Sequence, residues 1–161
     1  MILPLFLLLL FAACTGTSPW RAHHLQTGDK AFDSSKLTYT TADTRNNIEL
    51  EFLKTADVLH LYLQVYSSPV PAYRGDPSQA LIMLSTEKEK IETVALRHEG
   101  GERVQLTDAL RDKLIAWLLA GEKVTISLQG YVTTLEAADF KEKFAKMQHP
   151  PFFSNPFKLP F

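Results

Sequence analysis

Residues 48–66, IELEFLKTADVLHLYLQVY, decide the reading of the fold. Ile48, Leu50 and Phe52 alternate with Glu49 and Glu51, and Leu59, Leu61, Leu63 and Val65 alternate with His60, Tyr62, Gln64 and Tyr66. A period of two sends one set to a buried face and the other to water, as in the strands of a half-wet sheet. Thr55-Ala56-Asp57 joins the two runs as a hairpin. The second run is the cleaner and predicts a central strand.

Working outward, Leu81 to Leu84 is a short apolar run suited to a strand buried on both faces. Ile91–Arg97 and Arg103–Leu106 flank Glu99-Gly100-Gly101, a hairpin turn because glycine accepts positive φ. The period then changes. Leu110, Leu114, Trp117 and Leu118 form one helical stripe, with Thr107 as its cap, Asp108 in its first turn and Gly121 just past its end. Val124, Ile126 and Leu128 alternate again as a strand. Ala137, Phe140, Phe144 and Met147 then form a second helical stripe, with capping-box spacing at Thr133 and Glu136 and a stop at Pro150-Pro151. Strands, hairpin, helix, strand, helix is not the regular alternation of a parallel doubly wound sheet. The fold class expected is mainly β (α+β): an antiparallel β-sandwich or partly closed barrel with two helices in the C-terminal half.

The chain of 161 residues is long enough for one domain with a real core. Seventeen basic against eighteen acidic side chains give a net charge of −1, with no field to draw in nucleic acid. A single cysteine excludes an internal disulfide framework and a thiolate-rich metal site.

That cysteine follows the run MILPLFLLLLFAA, residues 1–13, which has no polar side chain. As a helix the run would span about 20 Å, short of the ~30 Å hydrocarbon core, so it reads as a secretory signal. Phe11-Ala12-Ala13-Cys14 resembles the lipobox of bacterial lipoproteins, in which small residues precede an obligatory cysteine. The resemblance implies cleavage between Ala13 and Cys14 and a covalent diacylglycerol on the Cys14 sulfur. It further implies a protein held in the cell envelope by its lipid. Thr15 in place of Asp, in the enteric-type sorting pattern, implies passage to the outer membrane, facing the periplasm or the surface. Residues 14–36 read as a lipidated tether, 37–148 as the sandwich-like domain, and 149–161 as a tail.

Two irregular segments are candidate contact surfaces. Ser67 to Gln79, SSPVPAYRGDPSQ, is long for a connection inside a compact domain, and such loops are functional or mobile. Its Arg74-Gly75-Asp76 resembles the integrin-binding tripeptide of adhesion proteins, which would give Arg74 and Asp76 to a receptor with Tyr73 beside them. A turn needing Gly before Asp-Pro accounts for the same residues. The tail HPPFFSNPFKLPF carries Phe152, Phe153, Phe157 and Phe161 among four prolines. Either it wraps back and seals the domain's own groove, or it docks on a partner as an extended aromatic-proline peptide.

No G-x-S-x-G, H-E-x-x-H, G-x-G-x-x-G or Gly-rich phosphate loop is present. His23 and His24 are adjacent and would point to opposite sides of an extended segment, which suits one metal poorly. His60, on the wet face, reads as a cross-strand partner. The expectation is a protein that is not an enzyme, with no cofactor or metal. It would be a binding or scaffold subunit of an envelope complex, its partners the membrane and an envelope protein, with no nucleic acid. One alternative is a carrier holding a small apolar ligand near Trp117 and Phe140. The other is an enzyme whose catalytic groups lie far apart in sequence.

Overall fold

A computed structural model describes residues 18–27, 29, 32–41, 48–56 and 58–149. Nine strands lie in them: β1 Trp20–Leu25, β2 Ser34–Tyr39, β3 Glu49–Thr55, β4 Val58–Gln64, β5 Gln79–Ser85, β6 Lys90–Arg97, β7 Arg103–Gln105, β8 Val124–Leu128 and β9 Tyr131–Leu135. Two helices join them, α1 Asp108–Leu119 between β7 and β8, and α2 Phe140–Gln148 after β9. The strands form one sheet in the order β1-β2-β3-β4-β7-β6-β5-β8-β9, every neighbouring pair antiparallel. The fold is therefore mainly β and sandwich-like, with its sheet not closed into a barrel.

The alternation in residues 48–66 sets the register. Leu50 faces Leu63 and Phe52 faces Leu61 across β3–β4, so all four point to one side and are fully buried there. Leu37, Ile82, Leu84, Val104, Ile126 and Leu135 extend the same apolar face along the sheet. α1 buries Leu110, Leu114, Trp117 and Leu118, and α2 buries Phe140 and Met147. The α1 cap is the expected one, with the Leu110 amide donating to Thr107 Oγ1 at 3.4 Å. At the far end Gly121 takes φ +81°, which lets the Glu122 amide turn back to the Trp117 carbonyl at 3.0 Å.

The two edges of the sheet meet through side chains rather than a ladder. The Trp20 indole N–H donates to the Glu136 carbonyl at 2.8 Å, and the Tyr39 hydroxyl donates to the Thr134 carbonyl at 3.1 Å. Thr133, 2% exposed on β9, accepts the Ile48 amide on its hydroxyl at 2.8 Å. The Tyr39 bond occupies one backbone carbonyl of β9, an edge strand that would otherwise present it unpaired. Thr133→Val keeps the shape but leaves the buried Ile48 N–H without its acceptor. The expected loss is about 1–2 kcal/mol, read as a lower urea midpoint at unchanged slope.

Two expectations are corrected. Residues 20–25 and 34–36, read as tether, belong to strands β1 and β2, and Trp20 is 1% exposed. The core reaches the chain earlier than its hydrophobic pattern indicates because β1 is an edge strand. Only Trp20, Ala22 and His24 turn inward, whereas Arg21, His23 and Leu25 stay exposed. The second helix does not begin at a Thr133–Glu136 box. Tyr131, Thr133 and Leu135 are buried in alternation as β9, which Gly130 at φ +87° joins to β8, and α2 starts at Phe140 behind Asp139 at φ +63°. The β-branched run Val132-Thr133-Thr134 favours a pleated strand over a helical turn. Residues 1–17 and 150–161, with Cys14, Phe152, Phe153, Phe157 and Phe161, lie outside the described residues.

Candidate functional site

The loop between β4 and β5 is held at several points. Tyr131 fixes its start, the phenolic oxygen accepting the Ser68 amide and donating to the Ser68 carbonyl, both at 2.6 Å. Val70 is fully buried, and its amide donates to the Gly101 carbonyl at 2.8 Å. Arg97, at the end of β6, reaches under the loop. Its Nε donates to the Val70 carbonyl at 2.7 Å and its Nη1 to the Pro77 carbonyl at 2.9 Å, while its own amide donates to the Ser78 carbonyl. Gly101 makes room for that guanidinium, since a Cβ there would lie 2.1 Å from Arg97 Nη2.

Between these fixed points, Tyr73 to Asp76 forms a tight turn. The Asp76 amide donates to the Tyr73 carbonyl at 3.0 Å, and Arg74 and Gly75 take φ of +50° and +82°. Two successive positive φ values are those of a type I′ turn, which demands glycine at one position and strains Arg74 at the other. Asp76 Oδ1 accepts the Ser78 amide at 2.9 Å and its hydroxyl at 2.7 Å. These bonds hold the Asp76 carboxyl below the usual carboxylate range. The exposed Arg74 guanidinium lies 5.0 Å from the Tyr73 ring centroid. The loop thus brings Tyr73, Arg74 and Asp76 together on a pinned turn, with one Asp76 oxygen committed to the loop itself.

A second polar group lies on the wet face of β2, β3, β4 and β7. Glu51 bridges Lys36 at 3.0 Å and Arg103 at 2.7 Å, and Arg103 stacks 3.8 Å from the centroid of Tyr62. Tyr66, beside them, has its hydroxyl pKa raised by partial burial and by the nearby Glu49 carboxylate. His60 is the cross-strand partner expected, its Nδ1 3.2 Å from Gln105 Nε2. A shallow cavity of about 190 Å³ lies over Glu51, Tyr62, Tyr66 and Arg103. Among the described residues no group of three or more His, Cys, Asp or Glu is placed to hold a metal.

The space beside Phe140 is occupied by protein. Its ring centroid is 4.8 Å from Trp20, 5.9 Å from Phe52 and 5.2 Å from Phe144. Trp117, the other residue expected to line a ligand site, is 6% exposed with Lys113 Nζ 5.1 Å from its ring.

A third feature escaped sequence reasoning altogether. A cleft of about 180 Å³ opens at the far end of β1, β2 and β3, between His24, Leu25, Ser35, Lys54 and Ala56. His24 Nδ1 lies 3.0 Å from Ser35 Oγ, and burial, then the neighbouring His23, lowers the His24 pKa below 6.5. A depressed imidazole pKa means that the unfolded chain takes the proton first, so stability is full above 6.5 and falls as pH drops toward the folded value. The melting temperature should therefore decline on acidification from about pH 7.5 to about 5.5, and His24→Gln should flatten that part of the curve.

The chain matches no family model, and no curated protein or solved structure is significantly similar to it.

Proposed function

We propose that the chain is a lipid-anchored protein of a bacterial cell envelope that acts by binding, as a scaffold or accessory subunit of an envelope complex. The anchor is the diacylglycerol implied at Cys14, and the contact surface is the turn Tyr73–Asp76. The observation that supports this reading best is the fixing of the 67–79 loop by Tyr131, Arg97 and Gly101. A long loop that a domain merely tolerates needs no such supports. One held in a single conformation loses little entropy when a partner takes it up.

The distance from anchor to domain fits the same reading. Only residues 15–19 separate Cys14 from the buried Trp20, and a fully extended chain of that length reaches at most about 20 Å. Two or three acyl chains at Cys14 would then hold the start of β1 near the bilayer surface. Among the described residues no helix is long and apolar enough to cross a membrane.

Intact-mass analysis of the membrane-extracted protein tests the anchor. The expected product lacks residues 1–13 and carries a diacylglycerol, with or without a further acyl chain. A retained leader with a free thiol overturns the envelope reading. A photo-crosslinker placed at Arg74 on intact cells tests the surface. The expected result is one dominant adduct with an envelope protein, and a monomer without neighbours overturns the scaffold role.

A further inference from the structure

The wet face of β3, β4 and β7 carries a polar site that the turn at Arg74 does not use. Glu49 and Glu51 on β3 pair with Gln64 and Tyr62 on β4, and Gln64 pairs in turn with Arg103 on β7. Leu50, Leu61, Leu63 and Val104 point the other way into the core, so the period of two puts these five side chains on the solvent side. With Lys36 and Tyr66 they line the shallow cavity of about 190 Å³.

The walls are fixed before anything binds. Glu51 is held by Lys36 at 3.0 Å and by Arg103 at 2.7 Å, and the Arg103 guanidinium packs on the Tyr62 ring at 3.8 Å. Groups already held lose little entropy when a ligand takes them up. Hydrogen-bonding capacity is left over. Nη2 makes the one side-chain hydrogen bond of Arg103 among the described residues, which leaves the rest of its five-donor fork free. Gln64 donates from Nε2 to the Val65 carbonyl at 3.4 Å and keeps its acceptor oxygen. Lys36 and Arg103 balance Glu49 and Glu51, so the cavity has no excess charge with which to select an ion. Among the described residues no Leu, Ile, Val or Met lines it. Its apolar surface is that of two tyrosines, of which Tyr66 is 61% exposed with its hydroxyl beside the Glu49 carboxylate.

We propose that this face is a binding site for a neutral sugar. One pyranose ring lays its C–H face on Tyr66, while its hydroxyls accept from the free Arg103 N–H groups and donate to Gln64 and Glu49. A sugar presents an apolar face and a rim of uncharged donors and acceptors on one small ring, and the cavity offers the complement of both. A nucleotide or an acidic lipid headgroup would need an excess of positive charge, and an apolar peptide side chain would need an aliphatic pocket. The site stands independently of the anchor at Cys14 and of the turn at Arg74.

The test is saturation-transfer NMR on the full-length protein, in a detergent without a sugar headgroup. The probes are glucose, N-acetylglucosamine and the β-1,4-linked tetramer of each. Saturation should reach the ring C–H protons of at least one of them, with a Kd of about 1 mM or tighter. Tyr66→Ala should weaken that binding by about tenfold or more. Its Tm should stay unchanged, because the ring already lies in water. Tyr66→Phe keeps the ring and should keep most of the affinity. Because the ligand is uncharged, raising NaCl from about 0.05 to about 0.5 M should leave Kd within about twofold. Absence of transfer to all four probes overturns the proposal, as does a Tyr66→Ala variant that binds like the unaltered chain. Heparin bound in place of the sugars and released by salt would mark an anion site, and that result also overturns it.

Discussion

Trp20→Ala should destabilise the domain by about 3–5 kcal/mol, the range for deleting a large buried aromatic. Trp20 is 1% exposed on the outermost strand, with its ring centroid 4.7 Å from Tyr39 and 4.8 Å from Phe140. Its removal empties the position where β1, β2 and α2 meet and leaves the Glu136 carbonyl without the indole N–H. Because α2 packs on β1 and β2, the loss would spread from the edge strand into the helix. Trp20→Phe separates the contributions. It keeps most of the packing and removes the hydrogen bond, so it should cost only about 1–2 kcal/mol. Urea unfolding of both variants provides the measurement. A small effect of Trp20→Ala would mean that residues 20–25 behave as a tether after all.

The second large effect is expected at Arg97. Arg97→Ala removes two charge-assisted hydrogen bonds from beneath the loop and leaves the Val70 carbonyl without its guanidinium donor. Bonds to a charged group contribute about 1.5–3 kcal/mol each and are not additive, so a loss of about 2–3 kcal/mol is expected. The more informative readout is local. Amide exchange at Val70, Tyr73 and Gln79 should quicken more than exchange in β3 or β4, because the loop opens without the sheet. Arg97→Lys should rescue little. One ammonium cannot reproduce a planar fork that reaches the Val70 and Pro77 carbonyls together. If loop exchange stays unchanged in Arg97→Ala, the loop does not depend on this pin, and the preorganisation argued for its contact role fails.

The candidate sites were legible in the sequence to very different degrees. The turn at Gly75 could be read because glycine before Asp-Pro is a local backbone signal, and backbone signals survive without tertiary information. Arg97 left a fainter mark. It follows Ile91, Thr93 and Ala95 at the inward-pointing parity of β6, where a charged side chain must find partners. The Gly100-Gly101 turn beside it supplied both the bend and the room. The Leu25–Lys54 cleft left no mark at all. Its walls come from three strands and a turn, and each wall residue is unremarkable within its own segment.

Period-two alternation made β3, β4 and β8 readable, and the change of period at Leu110 exposed α1, because each of these elements buries a whole face against a single core. The sequence alone thus determined an antiparallel, mainly β fold with two helices, along with its hairpins at Ala56 and Gly100-Gly101. Only the tertiary structure decided that β1 and β9 are strands. The inward sets of β1 (Trp20, Ala22, His24) and β9 (Tyr131, Thr133, Leu135) mix polar with apolar residues, so neither shows a hydrophobic period, and both acquire their place from cross-chain contacts. Trp20 acquires its place from Phe140 and Glu136, and Thr133 acquires its own from Ile48. Contacts between residues far apart along the chain have no counterpart in any local pattern, so the edges, the pinned loop and the cleft appear only once the sheet has curled.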